Sequence, residues 1–168
     1  IGAAQSQSGA GGLVGFNGST DGPGFALGSV TDSYATGTVS GSYNVGGLIG
    51  VNNPSGIVMA SYATGDVGGS SQAVGGLVGY NQGSVTDNSY ASGTVTGSQY
   101  YIGGLVGWNT GDLSYNSASG PVTGTGSYVG GLAGWVTGKI LCCSATGAVV
   151  GAGDFVGGLV GWITGDIS

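Results

Sequence analysis

The side chains able to do chemistry are few: seven aspartates, one lysine, two adjacent cysteines and a set of aromatic residues, with no histidine, glutamate or arginine. Without histidine, neither a Ser–His nor a Cys–His nucleophile pair can be assembled. A Ser–Lys pair would have to use Lys139, the only basic side chain. Two carboxylates can cleave a glycosidic bond, but Asp21, Asp32, Asp66, Asp87, Asp112, Asp154 and Asp166 fall at corners or in Ser/Thr-rich edges. No histidine cluster, Cys-x-x-Cys pair or EF-hand loop is present, and Asp32 and Asp87 read as solvated turn residues rather than calcium ligands. Gly134 to Ile140 is one residue short of a phosphate-binding loop and lacks the Ser or Thr that should follow its lysine. The expectation is a protein that is not an enzyme and needs no metal or cofactor.

Cys142 and Cys143 are neighbours. On a strand they would point to opposite faces and could not bond one another without distorting the backbone. They read as two small strand residues, with an intermolecular disulfide as the alternative. Asn17-Gly18-Ser19 matches a glycosylation sequon.

Charged residues make up only 5% of the 168 residues, and the net charge is −6. That balance argues against nucleic acid and against an anionic membrane surface, both of which call for clustered Lys and Arg. No apolar run approaches the roughly 18–20 residues of a membrane-spanning helix. Low charge with abundant Gly, Ser, Thr and Tyr points to an extracellular or cell-surface location. The start at Ile1 without Met reads as a processed protein or an excised segment.

What must position these side chains is a repeat. The phrase Gly-Gly-Leu-Val-Gly-aromatic, or a close variant, begins near residues 11, 46, 75, 103, 130 and 157. Apart from a longer first copy, the repeats are 27–29 residues long, a period that marks stacked units rather than a globular enzyme. Residues 1–10 read as a partial N-terminal coil, the insertion around Pro23 as a surface loop, and the copy from 157 as incomplete. The whole of 1–168 reads as one repeat domain. Each copy continues with Gly-x-Val/Ile/Leu, then Ser-Tyr-Ala-Thr-Gly or a variant, then a third apolar point at Val39, Val67, Val95, Val122 and Val149. The apolar spacing and the 42 glycines oppose helices.

The prediction is an all-β fold, a β-solenoid of about six stacked coils with three short strands per coil, equivalent residues lying about 4.8 Å apart. Leu48, Leu77, Leu105, Leu132 and Leu159 should form one interior ladder. Val30, Val58, Val85, Leu113 and Ile140 should form a second, and the Val39 to Val149 set a third. Ala35 and its equivalents should fill the gaps. Glycine should serve either corners with positive φ or close backbone approaches. Strand alternation places Val14, Ile49, Val78, Val106, Ala133 and Val160 outside, as an apolar stripe for lateral packing. Asp112, Lys139 and Asp166 share one place in successive copies and form a structural charge ladder.

The phrase Gly-Gly-Leu-Val-Gly-x-Asn, followed by Gly-x-Ile/Val and Ser-Tyr-Ala-Thr-Gly-x-Val, resembles the GLUG repeat over nearly all of 11–168. The resemblance implies an exported structural or adhesive array of the kind found in large bacterial surface and secreted proteins. It brings no catalytic residue to this chain. The Asn at 17, 52, 81 and 109 gives way to Val136 and Ile163, so an Asn ladder is not expected to be a requirement of the fold.

Two aromatic columns remain as candidate contact surfaces. Phe16, Tyr80, Trp108, Trp135 and Trp162 form one, interrupted by Val51; Tyr34, Tyr62 and Tyr90 form the other. They serve either as packing that shields the core or as an exposed strip for a partner. The leading expectation is an extracellular structural or adhesive solenoid whose partner is itself, end to end and laterally. The matching of the chain's start to an unfinished last coil motivates that end-to-end expectation. The alternative is a glycan- or cell-surface-binding module using the aromatic column, with ice binding by the Thr36, Thr64, Ser92, Ser119, Thr146 column a weaker third.

Overall fold

The computed structural model describes residues 8–19 and 27–168, and within them the fold is all-β. Residues 1–7 of the partial first coil, and the insertion carrying Asp21 and Pro23, lie outside the described residues. Every paired strand is parallel to its partner, and each pairs with its counterpart one repeat away. The result is a β-solenoid of five turns and part of a sixth.

Five short strands make up each turn, not three, and they stack into five sheets. Taking the second turn as the example, the sheets receive Val45–Gly46, Ile49–Asn52, Gly56–Met59, Tyr62–Ala63 and Val67–Gly69, and we number them first to fifth in that order. One extra strand arises because the residues on either side of Gly-Gly-Leu are both extended, with the phrase itself as a corner between them, and the other because a left-handed corner at Ala60 sets Tyr62–Ala63 apart from Gly56–Met59. Register is constant along the stack: Ile49 pairs with Val78, Val78 with Val106, and Val106 with Ala133.

The Leu corner explains why simple alternation misplaces the next residue. Leu77 N–H and Val78 N–H both donate to the carbonyl of Leu105, at 2.8 and 3.0 Å, and the neighbouring coils repeat the pattern. The chain turns at Leu, so Leu and its successor both face inward. Ile49, Val78, Val106 and Ala133 are fully buried beside Leu48, Leu77, Leu105 and Leu132. The apolar stripe expected outside is therefore core, and it offers no lateral packing surface.

Two apolar columns run along the axis. One combines the Leu ladder and its neighbours with Val30, Val58, Val85, Leu113, Ile140 and the alanines. The other combines Val67, Val95 and Val122 with Val45, Val74, Ile102 and Val129. Val39 and Val149 pack against the second column but are only half-buried, since they lie in its first and fifth turns. Each fully buried Leu or Val contributes about 1.5–3 kcal/mol relative to exposure, and a column carries that contribution from coil to coil.

Between the two columns the first and second sheets lie back to back, with glycine at the contact. A Cβ on Gly107 would fall 2.4 Å from Val74 N and 2.6 Å from Ala73 C, in the first-sheet strand one coil earlier. The tip of this tongue, the Gly-Gly pair, meets the fourth sheet: a Cβ on Gly76 would fall 2.9 Å from the Ala91 Cβ. Close approach, rather than positive φ, is what the glycines provide. Among the described glycines only Gly18 has positive φ, while Asp32, Asn44, Ala60, Ala73, Asp87, Asn88, Tyr101, Tyr115, Tyr128, Cys142 and Phe155 occupy the left-handed region. Several of these are residue types for which that conformation costs roughly 1–2 kcal/mol. Asn44, Ala73, Tyr101, Tyr128 and Phe155 form one such column, two residues before each Gly-Gly, and the register runs one-for-one past Ala73, Tyr101 and Tyr128.

Candidate functional surface

The left-handed residues of the first sheet set up the largest aromatic cluster among the described residues. A left-handed residue at 101, 128 and 155 turns its ring towards the second sheet, where Trp108, Trp135 and Trp162 stand in register. Tyr101 lies 5.3 Å from Trp108 and 5.4 Å from Trp135, ring centre to ring centre. Tyr128 lies 4.9 Å from Trp135 and 5.0 Å from Phe155, and Phe155 meets Trp162 edge-on at 4.9 Å. Tyr80 stacks on Trp108 at 4.5 Å. Aromatic pairs in such geometry contribute about 0.5–1.5 kcal/mol each beyond area burial, which offsets the strained backbone of residues 101, 128 and 155.

The cluster is largely self-satisfied. Tyr80, Trp108 and Trp135 are half-buried, and the most open members of their column are Phe16 and Trp162, in the outermost coils. Val51, which interrupts the column, is fully buried between Phe16 and Tyr80 in the register. Trp108 Nε1 is buried without a hydrogen-bond partner. Burial pushes the Tyr101 phenol up, and the neighbouring Tyr128 and Tyr100 add to that, so its ring stays neutral through a wider alkaline range.

The second aromatic column is a stack on the fourth sheet. Tyr34 and Tyr62 lie 5.2 Å apart with planes 8° from parallel, and Tyr62 and Tyr90 lie 4.9 Å apart at 5°. Tyr62 is covered by a ring on both faces, whereas Tyr34 and Tyr90 each stack on one face only and are exposed. The stack stops where Ser117 and Ser144 take the position.

Two polar ladders run inside. Asn17, Asn52, Asn81 and Asn109 are buried, and each Nδ2 donates to the Oδ1 of the next at 2.7–2.8 Å. The same amides also donate to backbone carbonyls near the turn into the third sheet, as Asn81 does to Gly83 at 3.2 Å. Val136 continues the column with the backbone register unchanged, so the fold accepts either an amide chain or an apolar residue there. Asn17 sits inside this ladder, which leaves its amide unavailable for a glycan in the folded state.

The other ladder precedes the Tyr column. Ser61 Oγ accepts from Ser33 N, Ser89 Oγ from Ser61 N, and Asn116 Oδ1 from Ser89 N. Cys143 takes the next place: its Sγ accepts from Asn116 N at 3.4 Å and its thiol donates to the Leu141 carbonyl at 3.3 Å. Burial pushes the Cys143 thiol up, partly opposed by these backbone contacts. Cys142 lies at the left-handed corner between the third and fourth sheets rather than on a strand, and it is exposed. Both thiols are free.

The register places Asp112, Lys139 and Asp166 one above another at the exposed start of the third sheet, next to the paired Leu113, Ile140 and Ile167. No ion pair joins them, and among the described residues no three metal-binding side chains gather. Sequence reasoning missed Tyr101, Tyr128 and Phe155. Their fixed place two residues before each Gly-Gly was the available signal, hidden because a left-handed residue breaks the two-residue alternation.

These features define a parallel β-solenoid built from one repeat per coil, with its polar and aromatic side chains spent on coil-to-coil ladders. The repeat is identifiable: the family model described as the GLUG motif matches residues 6–40 and 70–96, so the chain carries GLUG repeats. No curated protein and no solved structure matches it significantly.

Proposed function

We propose that the chain is a structural segment of an exported bacterial surface array, whose task is to extend and stack rather than to catalyse. The observation that carries this reading is the constant register: each coil presents the same five strand edges and the same apolar columns to the next. Leu13 is 50% exposed where Leu48 is 0%, and Val156 is 44% exposed where Val129 is 0%. A further coil stacked in the same register would cover those surfaces. Unpaired parallel edges of this kind favour strand addition. The absence of histidine and the isolation of the one lysine support a non-catalytic role.

Binding of glycans by the aromatic column is the second reading. Its support is the half-exposed Trp162 and Phe16, which offer ring area in the outermost coils. Tyr80, Trp108 and Trp135 are half-buried against other rings, which leaves less ring area for a sugar and favours the structural reading. Electron microscopy of unheated protein across a dilution series tests the proposal. Filaments or end-joined rods that shorten on dilution support self-assembly. Isolated short rods at every concentration would reject association between chains and leave a spacer within one chain. Glycan retention that is lost in Trp108→Ala/Trp135→Ala/Trp162→Ala, with β-structure intact, would instead establish the second reading.

A further inference from the structure

The tyrosine stack on the fourth sheet has a chemistry that the packing alone does not use. Tyr34 and Tyr90 are 59% and 37% exposed, and Tyr62 lies between them at 5.2 and 4.9 Å with its plane almost parallel to both. All three sit in paired strands of consecutive coils, so the backbone holds the rings in line. Other exposed tyrosines lack this arrangement: among the described residues Tyr43 and Tyr115 have no ring partner, and Tyr100 meets Tyr101 tilted at 46° and 6.1 Å.

We propose that Tyr34, Tyr62 and Tyr90 are a site of oxidative tyrosine cross-linking that staples successive coils together. The oxidant is hydrogen peroxide acting through a haem peroxidase or an equivalent one-electron oxidant. Each of two neighbouring phenols loses one electron and one proton to give a phenoxyl radical. The radicals join through their ortho carbons, and each ring regains aromaticity as its ortho proton moves to the phenol oxygen. One new carbon–carbon bond thus replaces two ortho C–H bonds, and one peroxide accepts the two electrons and two protons to become two waters. Holding the partners in line makes the coupling effectively unimolecular, the advantage that orientation gives any such step. Tyr34 and Tyr90 are exposed, so an oxidant can reach both ends of the stack. Tyr62 has a neighbour on each side and two ortho positions, so it can tie three coils.

The test treats the native chain with peroxidase and hydrogen peroxide at low protein concentration. Dityrosine emission is recorded, and the linked residues are mapped by tandem mass spectrometry. The expected products are monomeric chains linked 34–62 and 62–90, with a raised Tm. Tyr62→Phe should remove nearly all of the intramolecular product, because Tyr34 and Tyr90 are two rungs apart. Ser117→Tyr should add a 90–117 link by extending the stack one rung. Unchanged yield in Tyr62→Phe, links confined to Tyr43, Tyr100 or Tyr115, products that are only dimers, or no dityrosine at all would each overturn the proposal. Circular dichroism of both variants before oxidation establishes that the coils are intact.

Discussion

The asparagine ladder gives the sharpest energetic prediction, because one substitution breaks two rungs and another breaks only one. Asn81 is fully buried; it accepts from Asn52 at 2.7 Å and donates to Asn109 at 2.7 Å. Asn81→Val removes both bonds and its contact with Gly83, and it leaves Asn109 Oδ1 buried without a donor. At about 1 kcal/mol for each of the three lost bonds and about 1–3 kcal/mol for an orphaned buried acceptor, the cost should be about 4–6 kcal/mol. Asn109→Val moves the apolar end of the column, already present at Val136, up by one coil. Asn81 then loses one acceptor but keeps the Gly83 carbonyl, and the Asn109 donation to the Gly111 carbonyl at 2.8 Å goes too, so the cost should be about 2 kcal/mol. Urea unfolding followed by circular dichroism measures both. Equal losses, or a greater loss at 109, would refute the idea that the amides act as a continuous chain.

Glycine positions should split by the space around them. Gly107→Ala drives a Cβ to 2.4 Å from backbone and should cost about 3 kcal/mol or more, whereas Gly37→Ala, with nothing within 4 Å, should be neutral or stabilise by up to about 1 kcal/mol. Thermal melts compare them. The exposed Cys142 should react with iodoacetamide at mildly alkaline pH well before the half-buried Cys143, whose thiol is pushed up by burial; peptide mapping against time reads the order. Folded-state pKa values raised above the ordinary 9.0 for Cys143 and 10.0 for Tyr101 give stability that is complete below those ordinary values and is lost as pH rises through the folded ones. Tm should therefore fall above about pH 9, and Cys143→Ser should remove the thiol's part of that fall while keeping the ladder hydrogen bonds.

Much of the fold was legible because the repeat carries it. A period of 27–29 residues with Leu, Val and Ala in fixed phase fixes one coil per repeat, and Leu48, Val58, Ala63 and Val67 all face inward. What was hidden lies where local geometry departs from the strand rule. Ile49 was expected outside because the chain was read as extended through Gly-Gly-Leu, whereas the corner at Leu48 resets the alternation. Tyr101, Tyr128 and Phe155 were missed for a related reason: left-handed backbone is normally glycine's, so nothing in an aromatic residue announces it. The asparagine column was visible as a pattern, but only its burial shows that it is an internal hydrogen-bonded chain.

The central claim, that each repeat is one coil stacked directly on the last, is tested most directly by distances between spin labels. Thr36, Ser92 and Thr146 are exposed equivalents in the first, third and fifth turns. With both native cysteines replaced by serine, labelled pairs 36/92 and 36/146 should be separated by about 10 and about 20 Å between backbones, two and four strand spacings. A steady rise of that size with repeat count is the expected result. Separations that do not increase with repeat number, or that reach several times these values, would contradict the stacked solenoid.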